Sequence, residues 1–399
     1  MTANSFKIPK ILTASFLSAS LLLSGCGSNG TKLNETLPVD KPDTGQVADG
    51  SLKSLINYAR IEAGLPGMAA IVVHDGKVVE KASDGFRSID SSIEVTDEDK
   101  WHIGSITKSM TSTLAAILVE QGVVSWDTRI GDVYPELVGK MRKEYEDVRL
   151  DELLSHVSGM RANLPNLRDY YSKSDTMLVQ RQQMVEEALV LSPETSRGNM
   201  QYSNLGYMVA GAMMEKLTNT SWEELIQVHL FSPLLMNDTG FGAPDVNGDL
   251  AEPVGHSQQG NGWKAEIPSA TNLADNVKIL GPAGTVHTTL DDIALYMIAH
   301  LKGALGRDVI GLLNKESFDK LHTSVSNANY ALGWIVNGRE ITHNGSNTMW
   351  LANVIINPDK NYAIFVVTNA ADLSSSNSKA MSAVDNVNKD IIKRIEATY

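Results

Sequence analysis

Strand-like and helix-like sequence are segregated along this 399-residue chain, and that segregation constrains the fold more than any other feature. Near the front, Gly67-Met-Ala-Ala-Ile-Val-Val-His74 reads as a buried strand. Asp75-Gly76 is a hairpin turn and Lys77-Val-Val-Glu80 returns from it. Near the end, four more strands are expected over Tyr330–Val336, Arg339–His343, Trp350–Ile356 and Tyr362–Thr368. Pro358-Asp-Lys-Asn361 turns between the last two. From Ser105 to about His300 the apolar spacing is mostly helical, as in Leu178–Leu191, Leu205–Leu217 and Leu290–Leu301. Helices are also expected over Ser51–Gly64 and Asp385–Ala397. Short hairpins need further partners to be stable. The simplest arrangement is an α+β fold: one antiparallel sheet built from both chain ends, flanked by helices, with a mainly helical lobe inserted. The expected division is a sheet lobe over about 51–100 and 302–399 and a helical lobe over about 101–301. A cleft between the lobes is the natural place for a site.

The first 25 residues stand apart from this fold. Lys7 and Lys10 precede an apolar run, Ile11–Leu23, that is too short for a stable membrane span. The run ends in Leu23-Ser24-Gly25-Cys26, which resembles the lipobox of bacterial lipoproteins, where cleavage precedes an acylated cysteine. Residues 1–25 are then a signal peptide and Cys26 the lipid attachment point and membrane contact. Gly27 follows the cysteine, where aspartate would favour inner-membrane retention. The expected location is the cell envelope, on the periplasmic face of the outer membrane where the organism has one. Residues 26–50, rich in Gly, Asn, Thr, Asp and Pro, read as a tether, and residues 51–399 as the globular domain. Cys26 is the only cysteine, so a disulfide framework is excluded. The net charge is −13, and loss of Lys7 and Lys10 with the leader makes it −15. Nucleic acid, which needs clustered Lys and Arg, is not an expected partner.

The chemistry-bearing feature is Ser105-Ile-Thr-Lys108, at the start of an apolar helix containing Met110, Leu114, Ile117 and Leu118. Residues three apart share a helix face, so Lys108 can reach the Ser105 oxygen. A serine becomes a nucleophile when a base takes its proton. A lysine can do so if burial lowers its pKa. The spacing alone also fits a helix-start serine with a solvated lysine, and it recurs at Ser317–Lys320 and Ser376–Lys379. Only Ser105 lies between Trp101-His-Ile-Gly104 and a long apolar helix. Tyr202-Ser-Asn204 precedes the helix Leu205–Leu217, where a loop phenol can face a cleft. His343-Asn-Gly345-Ser346 ends a strand, where the glycine signals close approach by a ligand or backbone. Leu153-Leu-Ser-His-Val-Ser-Gly159 and Gly281-Pro-Ala-Gly284 read as structural corners. There is no Gly-x-Ser-x-Gly, no His-Glu-x-x-His, no paired-cysteine metal spacing and no phosphate loop. No cofactor or metal is expected.

Ser105-x-x-Lys108, Tyr202-x-Asn204 and His343-x-Gly345, in that order, resemble the serine β-lactamase and penicillin-binding superfamily. The similarity is greatest to class C β-lactamases and their D,D-carboxypeptidase, D-aminopeptidase and esterase relatives, and runs over about residues 51–370. The resemblance implies Ser105 as acylated nucleophile and Lys108 and Tyr202 as a shared general base. It implies Asn204, His343, Gly345 and Ser346 as substrate-binding residues, with an oxyanion hole from the Ser105 and Ser346 N–H groups. Class C β-lactamases begin the third motif with lysine, and here it is His343. A histidine near pH 7 is mostly neutral and offers a substrate carboxylate little charge. The expectation is therefore an envelope-tethered serine hydrolase acting on a small-molecule or peptide acyl substrate, with an ester or D-amino-acid amide favoured over a β-lactam. The alternatives are a β-lactamase or a non-catalytic penicillin-binding-like cell-wall sensor. Oligomeric state is not readable.

Overall fold

A computed structural model describes residues 50–269, 272–325, 328–373 and 377–398. The expected leader, Cys26 and nearly all of the tether lie outside the described residues. Helix α1 (Leu52–Ala63) begins where the Ser51 side chain accepts from Ser54 N–H, and ends at Gly64 with φ 65°. Strand β1 (Gly67–His74) turns through Asp75-Gly76 into β2 (Lys77–Gly85). The chain then passes through β3 (Trp101–His102) into α2 (Thr107–Glu120), α3 (Met177–Ala188) and α4 (Asn204–Thr218). Short strands β4 (Gly240–Phe241), β5 (Gly255–Gln259), β6 (Gly262–Glu266) and β7 (Val286–Thr288) follow, then α5 (Leu290–Ala304). The chain closes with β8 (Ile335–Asn337), β9 (Glu340–Ser346), β10 (Leu351–Asn357), β11 (Tyr362–Thr368), β12 (Ala370–Ala371) and α6 (Lys379–Thr398).

Both chain ends build one antiparallel sheet, in the order β2-β1-β11-β10-β9-β8. Strands β1 and β11 are central and covered on both faces, which explains their unbroken apolar sequence. Successive side chains point to opposite faces. Met68, Ala70 and Val72 accordingly join α1 and α6 residues such as Ile56 and Val387 in one core. Ala69, Ile71 and Val73 join a second, larger core with Leu114, Ile293 and Met297. Helix α5 thus packs on the sheet face opposite α1 and α6.

The structure departs from the expected elements in two places. Of the strand expected over Tyr330–Val336, only Ile335–Asn337 belongs to a sheet strand. Gly333 has φ 81°, and a Cβ there would lie 2.6 Å from the Ser109 Cα, so this segment turns sharply against the start of α2. The mainly helical middle also supplies strands to two small sheets, β12-β5-β6, in which β12 comes from the chain's closing part, and β3-β7-β4. Their sequence signal is weak for a physical reason: β5 reads Gly-His-Ser-Gln-Gln and β6 is largely exposed, so neither shows apolar alternation.

Candidate active site

Ser105 lies in a one-turn 3-10 segment, Gly104–Ile106, that runs straight into α2. Every residue of α2 from Thr107 to Leu118 is buried, polar ones included. Buried hydroxyls must find partners, and these do. Thr111 Oγ1 donates to Pro282 O at 2.7 Å and Ser109 Oγ to Ile106 O at 2.8 Å. Lys108 Nζ, fully buried, lies 2.9 Å from Ser105 Oγ and donates to Ala283 O at 2.7 Å. No carboxylate pairs with it in these contacts, and burial drives its pKa well below the usual 10.5. A neutral amine there can donate one proton to Ala283 O and accept the Ser105 proton.

The corner that carries Ala283 packs at its first residue, Gly281, against a buried arginine. Arg181, fully buried on α3, bonds Glu215 of α4 at 2.5 Å and Glu223 at 2.5 Å, and reaches Ile279 O at 3.2 Å. Gly281 packs on this guanidinium so closely that a Cβ would fall 2.6 Å from Nη2. The corner Gly281–Gly284 therefore does more than shape the backbone, since it presents the second acceptor for Lys108.

Tyr202 comes from the loop before α4, whose cap is Ser203 accepting from Gly206 N–H at 2.8 Å. Its phenol is hydrogen-bonded to Ser105, and burial raises its pKa above the ordinary value of 10. The Lys108 nitrogen sits 4.9 Å from the Tyr202 ring centroid. His156 packs beneath this tyrosine at 4.3 Å between ring centroids, with Nδ1 accepting from Ser203 N–H at 3.1 Å. The His156 corner is thus structural, and what it supports is the tyrosine.

Strand β9 brings the third motif against the nucleophile turn. A Cβ on Gly345 would fall 1.8 Å from Ile103 O and 3.0 Å from Ser105 N, and one on Gly104 would fall 2.2 Å from Ser346 N. Only two facing glycines permit this approach, and it sets the Ser105 and Ser346 amides side by side. Ser346 Oγ accepts from Thr348 N–H at 3.0 Å.

His343 and Asn204 are placed differently from the others. His343 is 3% exposed. Its Nδ1 lies 2.6 Å from Asn344 O and its Nε2 lies 3.0 Å from Tyr330 Oη. A carbonyl can only accept, so Nδ1 carries the proton and Nε2 accepts from Tyr330. Burial, reinforced by the nearby Lys108, pushes its pKa down to about 3. The ring is neutral and turned into the protein. Asn204 Nδ2 donates to Asn163 Oδ1 at 2.9 Å, which holds it at the edge of the site. Ala283, His156 and Tyr330 were not singled out as site residues from sequence. The stretches that carry His156 and Ala283 are legible only as corners and Tyr330 only as the head of a strand, because each acts through a partner distant in the chain.

A sequence model of the family described as Beta-lactamase matches residues 49–387. Protein flp of Staphylococcus aureus (strain MW2) is 23% identical over 323 residues, which are 80% of this chain and 62% of that protein. The chain therefore spans under two thirds of that relative's length. Penicillin-binding protein 4 of Amycolatopsis lactamdurans is 27% identical over 259 residues, 65% of each chain. Among solved structures, a class C β-lactamase from Rhodobacter sphaeroides superposes with a TM-score of 0.66 at 18% identity, covering 86% of this chain and 99% of that one. The D-alanine carboxypeptidase AmpC from Burkholderia cenocepacia gives 0.64 at 19% identity, covering 85% and 97%.

Proposed function

The chain belongs to the β-lactamase family, whose members are serine hydrolases, and on that premise we propose that it forms an acyl-enzyme on Ser105 and hydrolyses an ester or a D-amino-acid amide or peptide. The observation that carries this reading is the wholly buried Lys108 amine 2.9 Å from the Ser105 hydroxyl, with its pKa driven down. In the proposed cycle Ser105 Oγ attacks the acyl carbonyl as its proton passes to Lys108 Nζ. The oxygen that becomes negative is received by the Ser105 and Ser346 N–H groups. A fixed donor of this kind contributes about 3 kcal/mol of transition-state stabilisation. Tyr202, protonated at rest, gives its proton to the leaving group and is reprotonated from Lys108. Water then enters, the same groups take its proton, and the acyl–Ser105 ester is cleaved.

The substrate preference rests on His343. A neutral ring whose two nitrogens face Asn344 O and Tyr330 offers no cation to a carboxylate. This favours esters and amides over β-lactams, which carry a carboxylate next to the ring. We also propose that the domain is tethered to the envelope through acylated Cys26. Among the described residues no helix is long and apolar enough to cross a membrane.

Purified protein and a Ser105→Ala variant, treated with a fluorophosphonate or fluorescent penicillin, test the mechanism. The wild type is expected to label and the variant not, and equal labelling rejects the scheme. A panel of p-nitrophenyl esters, D-amino-acid amides, D-Ala-D-Ala peptides and a chromogenic cephalosporin tests the preference. Fastest turnover of the cephalosporin rejects it. For the tether, Cys26→Ser is expected to move the protein from the membrane to the soluble fraction.

A further inference from the structure

His102 and Asp275 form a buried pair for which the acyl-transfer cycle has no use. His102 is fully buried and Asp275 nearly so. Gly104 N–H donates to His102 Nδ1 at 3.1 Å. An acceptor nitrogen carries no proton, so the N–H of this ring is at Nε2. That nitrogen lies 2.9 Å from Asp275 Oδ1. The same carboxylate oxygen accepts from Asn347 Nδ2 at 2.8 Å, and Asn347 Oδ1 in turn accepts from Met349 N–H at 3.2 Å.

These contacts join two segments that are remote in sequence. One end of the chain of contacts is Gly104, directly before Ser105. The other is Asn347, directly after Ser346. Gly104 has φ 50°, a backbone region in which glycine is loosely restrained. Its N–H is the group that the His102 ring holds. The facing glycines allow the two segments to touch, but contact alone does not fix the angle between two amides. A run of polar contacts does: hydrogen bonds at the Gly104 and Asn347 ends, joined by the 2.9 Å approach of His102 Nε2 to Asp275 Oδ1.

We propose that His102, Asp275 and Asn347 are positioning residues that set the relative geometry of the Ser105 and Ser346 amides, and so the strength of the oxyanion hole. This rests on the acyl-enzyme reading above. None of the three touches the reacting atoms. The bridge requires an oxygen acceptor at position 275 and a histidine protonated at Nε2.

Asp275→Leu removes the acceptor for Asn347 and the oxygen beside His102 Nε2, whereas Asp275→Asn retains an oxygen that can occupy the same place. The probe substrate is p-nitrophenyl acetate and the transition-state mimic is phenylboronic acid, which forms a tetrahedral adduct on Ser105. Asp275→Leu is expected to lower kcat about 100-fold, the size of losing one oxyanion donor. KM should stay within about threefold, and boronate affinity should fall in parallel with kcat. Asp275→Asn should recover most of the activity. Asn347→Ala, which leaves the His102–Asp275 contact in place, should give a smaller loss of the same kind. It serves if the leucine variant does not fold. A rise in KM at constant kcat, or an asparagine variant as impaired as the leucine one, overturns the proposal. Nitrogen-15 NMR of the wild-type histidines reads the bridge without any substrate: His102 must be the Nε2–H tautomer, and the Nδ1–H tautomer overturns it. Turnover that survives Ser105→Ala would instead reject the acyl-enzyme reading, while the tautomer would still report on the bridge.

Discussion

Ser105–Lys108 and Ser317–Lys320 have identical spacing at the starts of two helices, yet their side chains do unrelated things. Lys108 is fully buried and meets its serine at 2.9 Å. Ser317 Oγ instead donates to Glu120 at 2.5 Å, and Lys320 donates to Asp151 at 3.1 Å with about a third of its side chain exposed. Both side chains of this second pair are engaged by carboxylates, whereas Lys108 meets its own serine and a carbonyl. The difference teaches that three-residue spacing sets reach, whereas burial without a counter-charge sets reactivity. It is the surroundings of Lys108, full burial with the Ala283 carbonyl as a partner and no carboxylate among these contacts, that distinguish the two.

The largest expected effect breaks this comparison directly. Lys108→Met should lower kcat/KM by about 10²- to 10⁴-fold, the usual contribution of a general base, measured on any ester the wild type hydrolyses. Its Tm should change little, because a buried amine without a counter-charge is replaced by an apolar side chain of similar length, at the cost of the hydrogen bond to Ala283 O. Lys320→Met should change kcat/KM by less than about twofold and stability by about 1 kcal/mol, because Asp151, although buried, keeps Arg149 as a partner at 3.1 Å. Equal losses in the two variants would mean that burial is not what matters.

The next effect concerns the glycine approach, which Ser317 lacks. Gly345→Ala puts a methyl 1.8 Å from Ile103 O, closer than any real contact, so β9 must retreat from the nucleophile turn. Separation of the Ser105 and Ser346 amides should reduce kcat about 100-fold or more, read by burst amplitude in rapid mixing. An alanine variant with wild-type burst kinetics would show that the two amides do not act together.

How far these features can be read from sequence follows from where their causes lie. The β1 hairpin and β11 are legible because central strands are buried on both faces and look unbroken. Gly345 is legible as a close approach, although not that its partner is Ile103. The neutrality of His343 is legible only in part. Histidine at that position is visible in the chain, but its inward-turned ring is completed by Tyr330, in a segment that looks like a strand and is a turn. The β5–β6 hairpin is hidden because its residues are polar. Ala283 is hidden because its contribution is a backbone carbonyl, which carries no residue signature at all.

A smaller effect is the pH dependence of stability. Lys108 in the unfolded chain binds its proton up to about 10.5, whereas in the fold it loses it well below that. The unfolded state therefore holds more protons across that interval, and stability rises with pH through it. His343 behaves alike in its own window: it binds a proton near 6.5 when unfolded and near 3 when folded. Its stabilising contribution is complete above pH 6.5 and is lost as pH falls toward 3. Urea midpoints of wild type and Lys108→Met should diverge across the alkaline window, the wild type alone gaining from this group. His343→Asn should flatten the acid window and leave the alkaline one untouched. Parallel curves would mean that neither group is buried as described.

The smallest effect lies at the rim, where the comparison can be sharpened. Asn204 differs from Lys108 in being half-exposed, with its side chain bonded to Asn163 on an exposed loop. A hydrogen bond that water can replace contributes only about 1 kcal/mol net. Asn163→Ala should therefore leave kcat within about twofold and raise KM about two- to fivefold, since Asn204 would still be present but less well oriented. The same logic that makes the buried lysine decisive makes this contact minor: inside, a lost partner leaves a polar group stranded, and at the rim solvent takes its place. A kcat loss comparable to that of Lys108→Met would mean that the loop carrying Asn163 closes over the substrate and removes that solvent, which would move Asn204 from the rim to the interior of the working site.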